Sequence, residues 1–155
     1  MANKIKEIVL SSYSGYFAHD GYEDELTIAE DEIKCNLKTI IRSVGLEKNN
    51  PESVEGMERE IQWTYRYMSF EYHRLFNELV FALENYIQPE PFKALDAGGF
   101  AIKIKYEDGT QRRLSYSLIR GIEKDTPLMN ILSIMRKMIP KKERCPSLLK
   151  SRHNL

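Results

Sequence analysis

A change of hydrophobic period constrains this chain more than any other feature. Tyr72, Phe76, Leu79, Val80, Leu83 and Ile87 fall at i, i+4, i+7, i+8, i+11 and i+15, one stripe of an α-helix. On both sides the chain instead alternates apolar and polar residues, the period of a strand with one buried face. A helix with one apolar stripe set among half-buried strands buries that stripe by lying across a sheet. Ser69 is a suitable N-cap, and Pro89 stops the helix.

The strands read as follows. Ile5–Leu10 is short and rich in β-branched residues. After a loop with Gly15 and Gly21, Glu25–Glu30 places Leu26 and Ile28 on one face. In Glu32–Ile41, Ile33, Cys35, Leu37 and Ile41 point one way, while Lys34, Asn36, Lys38 and Arg42 point the other. Ile61, Trp63, Tyr65 and Tyr67 alternate with Gln62, Thr64 and Arg66, as in a fourth strand with an aromatic face; an early helical turn also fits. Phe100, Ile102, Ile104 and Tyr106 alternate with Lys103, Lys105 and Glu107, and Asp108-Gly109 offers the two positive-φ positions of a type I′ turn. The return strand runs from Thr110 to about Leu118, with Leu114, Tyr116 and Leu118 inward. Thr126-Pro127 then opens a second helix, a capping hydroxyl followed by proline at the first helical position. Leu128, Ile131, Leu132, Met135, Met138 and Ile139 form its stripe, and Pro140 ends it.

The order β-β-β-(β)-α-β-β-α predicts an α+β fold: a mainly antiparallel sheet of five or six strands with two helices on one face. The 155 residues suit one domain. Residues 1–140 are expected to form it, with 141–155 a basic, flexible C-terminal tail. Segments 45–57 and 88–99, with their Gly, Asn and Pro, read as loops between elements.

The second half resembles a pattern common among small uncharacterised bacterial α+β domains. Its carriers are Phe100-Ala-Ile-Lys-Ile-Lys-Tyr-Glu-Asp-Gly-Thr, then Arg113-Leu-Ser-Tyr-Ser, then Thr126-Pro127-Leu128 to Ile139-Pro140. The opening Ser11-Ser-Tyr-Ser-Gly-Tyr-Phe17 is similar to the start of such domains. The resemblance covers about half the chain and implies the fold, with no activity to transfer.

The 23 basic and 23 acidic residues cancel, which argues against a general polyanion binder. The balance is uneven along the chain: residues 136–155 set seven basic residues against Glu143 alone, a local charge of +6, leaving −6 before them. No apolar run approaches the ~20 residues that cross a bilayer, so a cytoplasmic protein without membrane contact is expected. Cys35 and Cys145 form neither a disulfide scaffold nor a CxxC pair, and no metal set or cofactor motif accompanies them. Gly98-Gly99 precedes a strand and so cannot present helix N-terminal amides to a phosphate. His73 reads as a surface histidine and His153 lies at the extreme C-terminus, so no catalytic residues are assigned.

What remains is a cluster of aromatics. Tyr13, Tyr16, Phe17, His19 and Tyr22 crowd one glycine-flexed loop, the composition of a recognition surface. This favours a non-catalytic protein-interaction module. Two alternatives stay open. One is a small-ligand carrier or enzyme with a site near residues 11–22, where His19-Asp20 lies close to Ser11, Ser12 and Ser14. The other is a nucleic-acid binder using Lys103, Lys105, Arg112 and Arg113 beside Tyr116, together with Lys141, Lys142 and Arg144 of the tail. A homo-oligomer is compatible with each.

Overall fold

The computed structural model describes residues 3–14, 20–41, 57–66, 69–89, 98–117 and 124–150. Six strands, β1 (Ile5–Tyr13), β2 (Asp20–Ala29), β3 (Ile33–Ile41), β4 (Met57–Tyr65), β5 (Gly99–Tyr106) and β6 (Gln111–Ser117), form one sheet. Helix α1 (Phe70–Glu84) lies between β4 and β5, and α2 (Thr126–Met138) follows β6. The strand order is β4-β3-β2-β1-β5-β6, with every neighbouring pair antiparallel. This is the α+β architecture that the periods imply.

Residues in register across the sheet explain its two faces. Leu114, Ile102, Leu10, Leu26, Cys35 and Trp63 lie side by side over all six strands. Ile104, Ile8, Ile28 and Ile33 make the adjacent row, and Phe100, Leu37 and Ile61 belong to a third. These rows pack beneath the stripes of both helices in one core. The opposite face carries Lys103, Arg113, Glu25, Lys34, Asn36 and Gln62, as alternation requires.

Several local expectations change. β1 and β2 reach Tyr13 and Asp20, so Tyr13 and Tyr22 are strand residues flanking the aromatic loop. Residues 57–65 are strand throughout, and Tyr67 lies outside the described residues. The β5–β6 connection is a three-residue loop: Tyr106 N–H donates to the Thr110 carbonyl (2.9 Å) and Gly109 N–H to the Tyr106 carbonyl (3.0 Å). Gly109 sits at φ +89°, the left-handed residue that such loops require. The α2 cap is Asp125, whose carboxylate accepts from Leu128 N–H at 3.1 Å, while Thr126 and Pro127 fill the first turn. Helix α1 does cap at Ser69, which accepts from Tyr72 N–H at 3.2 Å. It ends before Ile87, which is exposed, and it buries Leu75 in addition to the anticipated stripe.

The segment read as a flexible tail contributes to the core as far as Leu149. Leu148 and Leu149, in a short 3-10 turn (Ser147–Leu149), are buried. The Trp63 indole donates to the Arg144 carbonyl at 2.9 Å, and Ser147 N–H donates to Asp24 at 2.9 Å. The Tyr65 hydroxyl donates to Glu143, and Arg136 donates to the Leu149 carbonyl. Residues 141–150 thus form a strap across the helix-facing side of β2, β3 and β4, and 151–155 lie outside the described residues.

Candidate functional site

The sheet has two unlike ends. At one, β2 turns into β3 over residues 30–32, β5 into β6 over 107–110, and β4 leads to α1 over 66–69. At the other end, β1 stops at Tyr13, β3 at Ile41 and β6 at Ser117, while β2, β4 and β5 begin. The longer connections, 14–19, 42–56, 85–98 and 118–125, all leave from this second end. Connections between the elements of a sheet are where recognition is usually built.

Tyr13 stands at this end, 53% exposed, on the polar face of the sheet. Its ring crosses Gly99 of β5: a Cβ there would come within 2.9 Å of the Tyr13 hydroxyl and 2.5 Å of the Tyr116 carbonyl oxygen, so glycine is needed. Ser14 closes the neck of the loop: its N–H donates to the Tyr22 carbonyl, and its hydroxyl accepts from Tyr22 N–H, each at 3.0 Å. Tyr22 alternates to the helix-facing side and is half-buried, so Tyr13 and Tyr22 do not form one patch. Tyr16, Phe17 and His19 lie outside the described residues.

Two apolar side chains that the sequence assigns to no site belong to the same end: Phe81, and Ile87, which its spacing places in the buried stripe of α1. Helix α1 finishes there, leaving Phe81 69% and Ile87 88% exposed. The available signal was that Phe81 falls off the buried stripe. Phe70, 83% exposed, shares the outward side of α1 with Phe81 about three turns away.

A hydrogen-bond chain holds this end rigid. The Tyr116 hydroxyl donates to the Tyr86 hydroxyl (2.8 Å), which donates to Asp125 (2.6 Å), the cap of α2. Tyr116 stacks on Phe100 with ring centroids 4.6 Å apart. Burial pushes the Tyr86 and Tyr116 phenols up, and the bonds to Asp125 and Tyr116 push Tyr86 further. Both phenols therefore stay protonated at neutral pH. They suit anchoring, since a base or nucleophile would need the phenolate. Gln88 completes the anchor by donating to the Ser115 carbonyl at 2.6 Å.

The basic residues separate. Lys103 and Arg113 face each other on the polar side, and Lys105 pairs with Glu7 at 3.6 Å. Arg112 points to the helix side, where it donates to the Leu83 and Tyr86 carbonyls (3.3 and 2.7 Å) and so caps the end of α1. Tyr116 is on that side too. Lys141 and Arg144 are exposed on the strap, and the Lys142 ammonium lies 5.6 Å from the Tyr65 ring centroid. The strap spans β2 to β4 and the hairpin is β5–β6, so the edge strands β4 and β6 that bound them lie about 24 Å apart at the usual strand spacing.

Beneath the strap, Asp24 is buried opposite Ser12, whose hydroxyl has no hydrogen-bond partner among the described residues. Burial raises the Asp24 carboxyl, outweighing the Ser147 hydrogen bonds and the Lys150 charge. The Cys35 thiol, inside the core, is pushed up to about 12 by burial, then by Asp24 and Cys145. A thiol held protonated in this way is a poor nucleophile. At the tight-turn end, an open cleft of about 470 Å³ mixes Lys4, Glu7, Glu30, Glu32, His73 and Glu107. Among the described residues, no three His, Cys, Asp or Glu side chains are grouped to hold a metal, and no helix is long and apolar enough to cross a membrane.

Comparison of the chain with protein-family models, curated proteins and solved structures gives no match.

Proposed function

We propose that this chain is a small protein-binding module that meets its partner with the sheet end bearing the long connections. The observation carrying this reading is the exposure of Phe81 and Ile87 where α1 finishes; Tyr13 stands at the same end on the opposite, polar face of the sheet, so the partner reaches around that end. Large apolar side chains held outward by a rigid anchor supply contact area at little ordering cost. The Tyr116–Tyr86–Asp125 chain provides that rigidity without offering a reactive group. The cysteines are free, which suits the reducing cytoplasm.

A photo-crosslinking amino acid placed at position 13 or 81, in extract of the source cells, should attach the same protein from both positions. A probe at the exposed Lys137 of α2 should not. Equal yields from all three positions, or none from 13 and 81, would refute the reading.

A further inference from the structure

The two edges of the sheet are treated differently. At β6, the Gln88 side chain occupies the Ser115 carbonyl. At β4, no backbone bond from the described residues reaches the outer side of Arg59–Trp63. Proteins usually blunt such an edge with charged side chains, proline or a bulge. Arg59–Trp63 has no proline, its register with β3 runs without a shift, and its two charges, Arg59 and Glu60, are of opposite sign.

We propose that β4 pairs with β4 of a second copy of this chain, antiparallel about a two-fold axis at Ile61, making one continuous sheet. The strand is complementary to itself in this register. Ile61 meets Ile61 of the copy, Glu60 meets Gln62, and Arg59 meets Trp63. Ile61 is half-buried on the helix-facing side and packed against the core, so the pair extends that core across the axis. Glu60 and Gln62 are exposed on the polar face, where carboxylate and amide can bond across the seam as they already do within the strand. Arg59 comes opposite Trp63, so no like charges face each other across the seam.

Neighbouring registers are worse. Keeping all helices on one side allows only registers centred on whole residues. Centring on Glu60 sets Glu60 against itself, and centring on Arg59 sets arginine against arginine. Like charges directly opposite are unfavourable. Centring on Gln62 or beyond shortens the ladder. A two-fold β4–β4 pair uses that edge in both copies, and at β6 Gln88 already occupies the Ser115 carbonyl, so the association closes as a dimer.

The test is sedimentation equilibrium on the full chain with two single substitutions at the exposed Gln62. The unsubstituted chain should dimerise. Gln62→Glu places two carboxylate pairs across the axis and should weaken the dimer about two- to thirtyfold. Gln62→Lys creates two opposite-charge pairs with Glu60 and should tighten it by a similar factor. Circular dichroism would confirm that both variants fold. An unsubstituted chain that stays monomeric at its solubility limit would overturn the proposal. So would a dimer whose dissociation constant ignores both substitutions.

Discussion

Asp24 sits inside the sheet's third core row, beneath the strap, with its carboxylate accepting from Ser147 N–H. Its carboxyl titrates above the ordinary 3.8 because burial disfavours the charge. The folded chain therefore holds a proton that the unfolded chain releases. Asp24 contributes its full stability below 3.8, and that contribution is lost as pH rises through the folded value. Asn keeps an oxygen for Ser147 and carries no charge. Asp24→Asn should accordingly be more stable than the parent at neutral pH in urea denaturation, with the difference closing below pH 3.8. A variant less stable than the parent at neutral pH would show that the Ser147 and Lys150 interactions outweigh the burial cost.

At the scale of elements, the strap is the largest departure from what the residues announce. Leu148 and Leu149 are two apolar residues in a basic, proline-containing stretch, with no period to mark them as core. Their burial depends on Trp63 and Asp24, far away in sequence. Leu148→Ala should cost about 2–5 kcal/mol in chemical denaturation, as for other buried leucines; a cost near zero would mean that the segment does not dock. Strands and helices were legible because each repeats a period long enough to show which face is buried. Caps and turns were legible only in part. Asp125 and Thr126 are both good capping residues, and only the backbone decides between them. Arg112 and Arg113 look alike in sequence, yet alternation sends one to the end of α1 and the other to the polar face. Tyr13 was legible as a candidate contact, whereas Phe81 and Ile87 resembled ordinary helix residues until the end of α1 was placed.

Among the described residues, six strands and two helices make a two-layer fold with one polar face, one covered face and unequal ends. The tight-turn end is closed by short connections. The other end gathers the long ones, and its anchor of Tyr86, Tyr116 and Asp125 fixes where α1 leaves and α2 begins. Large apolar groups left outside that anchor add little to folding, since surface substitutions usually change stability by no more than about 0.5 kcal/mol. The proposed function assigns their exposure to contact with a partner. The most direct test replaces Tyr13, Phe81 and Ile87 together by alanine and measures melting temperature and partner capture on one preparation. A melting temperature close to the parent's with capture abolished is the predicted result. A clear fall in melting temperature with capture retained would place these side chains in the fold and contradict the account.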